Sequence, residues 1–110
     1  MREDAFIYHI TTQREWMAAN ENGYYESPSL LKEGFIHCCT LQQLDGVLAR
    51  YFLGIQNLVQ LTILANNLKS NIKFEPSPMV PELFPHLYCR IPLSEIVNVQ
   101  YLNQSSCINL

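Results

Sequence analysis

The sequence predicts an α+β domain in which short strands outnumber two main helices. Three features carry that expectation. Several runs of five to eight residues are rich in β-branched and aromatic side chains and are bounded by turn residues. Two segments open with a Thr-x-x-Glu or Thr-x-x-Gln start and continue with apolar residues at helical spacing. Gly and Pro punctuate the chain between them. The 110 residues, 48% hydrophobic and 15% charged, suit one globular domain over 1–110 with one modest core.

Phe6-Ile7-Tyr8-His9-Ile10 reads as the opening strand. Thr12-Gln13-Arg14-Glu15 has the form of a capping box, and the helix through Trp16 and Ala19 is expected to stop at Gly23. Tyr24 to Pro28 reads as a loop, and Ser29 to Glu33 as a helical turn ending at Gly34. Phe35 to Cys39 is a second strand. Thr40-Leu41-Gln42-Gln43 repeats the cap, and Leu41, Leu44, Val47, Leu48, Tyr51, Phe52 and Ile55 form one apolar helical face, read as core. Gly46 inside it points to close packing.

Leu58 to Ala65 is nearly continuous in apolar residues and is expected at the centre of a sheet. Ile72-Lys73-Phe74-Glu75 alternates as a strand with one wet face. Pro76, Pro78, Pro81 and Pro85 imply an extended loop, after which Leu87 to Ile91 resumes a strand and Val97 to Leu102 closes the sheet. Residues 103–110 read as a loose tail.

The net charge of −3 and seven scattered basic residues argue against a general nucleic-acid binder. No apolar run approaches the ~20 residues of a membrane span, and the Met-Arg-Glu-Asp start does not suit a signal peptide. The expectation is a cytoplasmic protein. Its four cysteines, Cys38, Cys39, Cys89 and Cys107, lack a disulfide framework and read as reduced, mostly buried thiols.

Polar groups inside apolar strands need partners, which singles out His9, His37, Glu75 and His86. Each also has a plain structural reading. His9 could face solvent beside Tyr8, and His37 could be a core histidine bonded to a carbonyl. Glu75 could pair with Lys73, and His86 could anchor the proline loop. His37, Cys39, His86 and Cys89 are ligand types, but their spacing lacks the paired knuckle of structural zinc, so no metal is expected. Cys39 precedes a helix, which keeps it in view as a nucleophile. No Gly-rich phosphate loop occurs; the helix start at Thr40 beside His37 is the candidate anion site. Tyr24, Tyr25 and Tyr88 could stack on a planar base.

The ordered segments Ile7-Tyr8-His9-Ile10, Trp16, Gly23-Tyr24, Glu33-Gly34-Phe35-Ile36-His37-Cys38, Gln43, Phe74-Glu75 and Phe84-Pro85-His86-Leu87-Tyr88 resemble the domain-of-unknown-function 952 family across about residues 6–100. Cys39 stands where the family usually carries Ser, and Cys89 where Gly is usual. The resemblance implies a small mixed or antiparallel split sheet similar to that of ADP-ribosyltransferases, with NAD or an ADP-ribose-like ligand held in the cleft. It further implies that His9 bonds a ribose and that Glu75 stabilises positive charge at the anomeric carbon. His37 and His86 would then line the cleft and bind phosphate or ribose hydroxyls, with a tyrosine, Tyr24 or Tyr88, on a base. Glu75, His37 and His86 are the catalytic candidates, and His9, Tyr24, Tyr88 and Thr40 the ligand-binding ones. The activity implied is transfer or glycohydrolysis of a small molecule. The alternative is a binding module without catalysis, presenting the proline-rich loop.

Overall fold

A computed structural model describes residues 5–104. The strands are all paired antiparallel but fall into three separate small sheets. In the first, β1 (Phe6–Thr12), β4 (Leu58–Leu64) and β8 (Ile96–Leu102) lie in the order β1-β4-β8, so the continuous apolar strand is indeed central. The second joins β2 (Tyr24–Tyr25) to β7 (Ile91–Pro92). The third has the order β3-β6-β5, with β3 (Ile36–His37), β6 (Leu83–Leu87) and β5 (Ile72–Pro76).

Three α-helices occur among the described residues: α1 (Gln13–Asn22), α2 (Pro28–Glu33) and α3 (Leu44–Tyr51). Helix α1 starts where expected, because the Glu15 amide donates to Thr12 Oγ1 at 3.1 Å. The reciprocal half of that box does not form: the Glu15 carboxylate turns to the Thr11 hydroxyl instead. Gly23 (φ 87°) and Gly34 (φ 94°) close α1 and α2 in the left-handed region that only glycine enters without steric cost. At the next cap, the Thr40 amide donates to Gln43 Oε1 at 3.0 Å, as the sequence implied.

That third helical segment is shorter than its apolar spacing suggested. Leu41–Gln43 form a 3₁₀ turn, α3 ends at Tyr51, and Leu41, Tyr51 and Ile55 are exposed. Only its middle is core: Leu44 is buried, and Val47, Leu48 and Phe52 pack against the cluster that Leu44 forms with Ile10, Cys39, Leu58 and Phe84. Close packing does not explain Gly46 either, since a Cβ there would meet only the Arg50 guanidinium.

Two further expectations are corrected. The strand placed at Leu87 to Ile91 lies earlier, at Leu83–Leu87, with Pro85 inside it. Proline fits because its fixed φ suits extended backbone and its carbonyl still accepts the Cys38 amide at 3.1 Å. Phe74 does not point inward; β5 is a sheet edge, and Phe74 is exposed there.

The main core sits on one face of the first sheet, where Ile7, Val59, Leu61 and Ile63 meet Tyr25, Ile36, Leu87 and Ile91 from the other two sheets. A smaller core gathers Ile10, Cys39, Leu44, Leu58 and Phe84. Residues 36–39 straddle the gap between sheets. Ile36 and His37 pair with β6, whereas Cys39 exchanges two backbone hydrogen bonds with Tyr8 of β1, both 2.8 Å. Among the described residues no helix is long and apolar enough to cross a membrane. Cys107, and the tail beyond residue 104, lie outside the described residues.

Candidate functional site

Where β1 parts from β3 and β6, a cavity of about 650 Å³ opens. That volume is within the usual range for small-molecule sites. Its apolar wall includes Ile10, Val47, Phe52, Met79 and Phe84. Its polar wall carries Glu15, Ser29, Glu33, His37 and His86, with His9 and Tyr25 behind.

Strand register brings His37 directly opposite His86, so both imidazoles stand on one face of the third sheet. Their ring centroids are 5.4 Å apart, edge to face. Phe35 stacks on His86 at 4.0 Å and tilts against His37 at 4.7 Å, fixing both rings. Each histidine also holds a carboxylate. His86 Nδ1 bonds Glu75 Oε1 at 2.7 Å, and His37 Nε2 bonds Glu33 Oε1 at 2.6 Å. An ionised carboxylate can only accept, so those nitrogens carry the protons. In the neutral rings the lone pairs then fall on His86 Nε2 and His37 Nδ1.

Glu75 therefore works through His86 rather than facing the cavity, whose wall it does not join. Tyr88 also donates to it, at 2.5 Å. Hydrogen bonds from Tyr88 and then His86 hold the Glu75 carboxyl below its usual pKa, and the same contact raises that of Tyr88. The plain reading of Glu75 as a partner of Lys73 gives way to these bonds; the Lys73 ammonium sits over the Tyr88 ring at 5.0 Å.

His9 is buried, not solvent-facing. Its Nδ1 donates to the His37 carbonyl at 2.6 Å and its Nε2 meets Tyr25 Oη at 2.7 Å. Both nitrogens are taken, so neither is left for a ribose. Desolvation pulls its pKa down to about 4, keeping the ring neutral at pH 7. Burial also raises Tyr25 well above the usual phenol range.

Of the other candidates, Tyr24, Thr40, Tyr88 and Cys89 lie off the cavity wall. Tyr24 is covered by the Arg90 guanidinium, 4.1 Å from its ring centroid, and its neighbour Tyr25 points in instead. The Thr40 amide is taken by the Gln43 side chain at 3.0 Å. Cys39 lines the cavity, but burial pushes its thiol up to about 12, which leaves no thiolate at neutral pH. Cys38 is buried and raised likewise, and Cys89 is half-buried and raised. Among the described residues no three His, Cys, Asp or Glu side chains are grouped to hold a metal ion.

The residues missed at the sequence level are Glu33, Glu15 and Phe35. The Glu33-x-x-x-His37 spacing was the one available signal for the first, but Gly34 separates the two elements and hides it.

Residues 10–99 match the family described as "Protein of unknown function (DUF952)". The chain belongs to the DUF952 family. Solved structures carry the same architecture. The X-ray crystal structure of protein CC0527 from Caulobacter crescentus is 35% identical, covers 93% of this chain and 90% of its own, and superposes with a TM-score of 0.81. A double mutant of that protein gives 34% identity, the same coverage and a TM-score of 0.81. Its solution NMR structure gives 35% identity, 93% and 88% coverage, and 0.76. No curated protein matches the chain. The DUF952 assignment rests on the sequence match, and the likeness to CC0527 on sequence and fold together.

Proposed function

We propose that this DUF952 protein is a cytoplasmic, small-molecule-binding protein whose cavity takes a nucleoside-containing ligand of the NAD or ADP-ribose class and acts on its glycosidic bond. The ADP-ribosyltransferase-like arrangement implied by the sequence resemblance belongs to this reading. The observation that carries it is the pair of carboxylate-held histidines, His37 and His86, on the wall of a 650 Å³ cavity.

The apolar wall suits a planar base, and the His, Ser and Glu wall suits a hydroxyl-bearing sugar. Two imidazoles of fixed tautomer can divide acid and base roles. His37, at the exposed side, takes a proton from water as its oxygen bonds the anomeric carbon. His86, oriented by Glu75, serves as the acid where the leaving group is a neutral base such as adenine, giving a proton to a ring nitrogen of that base as the C–N bond breaks. From NAD the C–N electron pair departs with nicotinamide, which leaves neutral and takes no proton. Glu75 and Glu33 position the rings.

The test is a thermal-shift titration with NAD and ADP-ribose, repeated on His37→Ala and His86→Ala. A ligand bound only by the folded state stabilises by about 2.7 kcal/mol at a hundredfold excess over its Kd. The expected result is a rise in Tm that both variants lose. A flat response at millimolar ligand would overturn this reading and favour the non-catalytic binding module.

A further inference from the structure

Behind the two histidine pairs runs a chain of polar contacts that they do not use. His9 Nδ1 lies 2.6 Å from the His37 carbonyl, and His9 Nε2 lies 2.7 Å from Tyr25 Oη. Tyr25 Oη lies 2.9 Å from Thr11 Oγ1, which lies 2.6 Å from Glu15 Oε1. The topology makes this line possible. His9 and Thr11 share one face of β1, Tyr25 projects from β2 between them, and Glu15 returns from the first turn of α1.

The number of hydrogens along the chain decides its character. Its four contacts each need a hydrogen, yet a neutral His9, Tyr25 and Thr11 bring only one each, and an ionised Glu15 and a carbonyl bring none. The chain closes only with one further proton, as an imidazolium at His9 or a carboxylic acid at Glu15. Without it, two lone pairs must face each other at hydrogen-bond distance in a buried place, which is costly.

We propose that His9, Tyr25, Thr11 and Glu15 form a proton relay that holds this additional proton and delivers it to the cavity through Glu15. It does not rest on what the cavity binds. His9 is buried at the inner end of the chain, where a charge is costly, and Glu15 lines the cavity at the other end, so the uncharged arrangement sets the proton on Glu15. The titratable groups facing the relay are His37, beside His9, and Cys38, near Tyr25. On delivery, the proton leaves a Glu15 oxygen for an acceptor in the cavity and Glu15 becomes a carboxylate. Thr11 and Tyr25 then turn their hydroxyls toward it. The contact that opens is His9–Tyr25, or, if His9 changes tautomer, the one holding the His37 carbonyl. Proton release is thus tied to the backbone that carries His37.

The experiment is NMR of the full chain labelled with 15N at histidine and 13C at the glutamate carboxyl, across pH 5 to 8. The expected result near neutral pH is a bare His9 Nε2 with Glu15 in the acid form, reverting to an ionised Glu15 in Thr11→Val. A neutral His9 together with an ionised Glu15 in the wild-type protein would overturn the relay, and that readout needs no variant to fold. Glu15→Gln offers a second measurement, because an amide supplies a fixed N–H to Thr11. It should keep the wild-type fold and His9 tautomer; loss of either would also refute the proposal.

Discussion

The β1-β4-β8 sheet and the β3-β6-β5 sheet are built from the same number of strands, yet they do different work. Each strand of the first runs seven residues, and Leu58, Val59, Leu61 and Ile63 on its central strand are fully buried. The second has a two-residue strand, a proline in its middle strand and an exposed edge. Its central strand carries His86, held by Phe35 and Glu75 rather than by apolar burial alone. The difference teaches that stability and chemistry are divided between sheets. The regular sheet can fix the fold, which frees the irregular one to present polar groups at a cavity.

The most severe way to break that division is Leu61→Ala. It should cost about 2–5 kcal/mol, because a fully buried leucine leaves a cavity that the flanking strands cannot fill. Denaturant unfolding measures it, and a loss below about 1 kcal/mol would show that the first sheet does not dominate stability. His9 sharpens the boundary, since it sits on the regular sheet but serves the other. The unfolded chain protonates it below the ordinary value of 6.5, the native protein only near 4. Stability should therefore fall as pH drops through that window, by roughly 3 kcal/mol. Comparing unfolding at pH 6.5 and 4 with a His9→Gln variant isolates the effect, and identical pH dependence in both would refute it.

Two milder changes probe the cavity side. Gly46→Ala on α3 should stabilise by about 0.5–1 kcal/mol, because helix propensity rises and only the flexible Arg50 end must move. A drop in Tm would mean that the helix roofing the cavity is packed more tightly than it looks. Glu75→Gln should leave Tm nearly unchanged while shifting the His86 ring nitrogens in 15N spectra, since an amide cannot hold Nδ1–H as a carboxylate does. A large loss of stability with an unmoved His86 would erase the distinction between the two sheets.

What could be read in advance follows the same line. Leu58 to Ala65 announced a central strand through its apolar content, although burial along it alternates, with Val59, Leu61 and Ile63 fully buried and Gln60, Thr62 and Leu64 only partly. Gly23 and Gly34 announced helix ends because backbone geometry is local. The strand through Pro85 was hidden, since proline, with no amide to donate, ordinarily argues against a middle strand; here β3 pairs with β6 only at His86 and Leu87 and asks no donor of Pro85. The histidines were legible as polar intruders. Their carboxylates were not, because Glu33, Glu75 and Glu15 look like ordinary surface residues until the sheets assemble. Tyr24 and Tyr25 are adjacent and alike, and strand alternation alone sends one inward.

The Tyr8–Cys39 clasp has a consequence in time rather than space. Its two amides, joined to each other's carbonyls at 2.8 Å, are a direct backbone stitch between β1 and the chain leaving β3. Parting β1 from the chain that leaves β3 must break them, whereas movement of the other cavity walls need not. Their exchange with deuterated solvent is thus a clock for the breathing of this seam. Slow exchange there would describe a cleft whose entrance is set when the chain folds; fast exchange beside a protected β4 would describe one that opens many times within the life of each folded molecule.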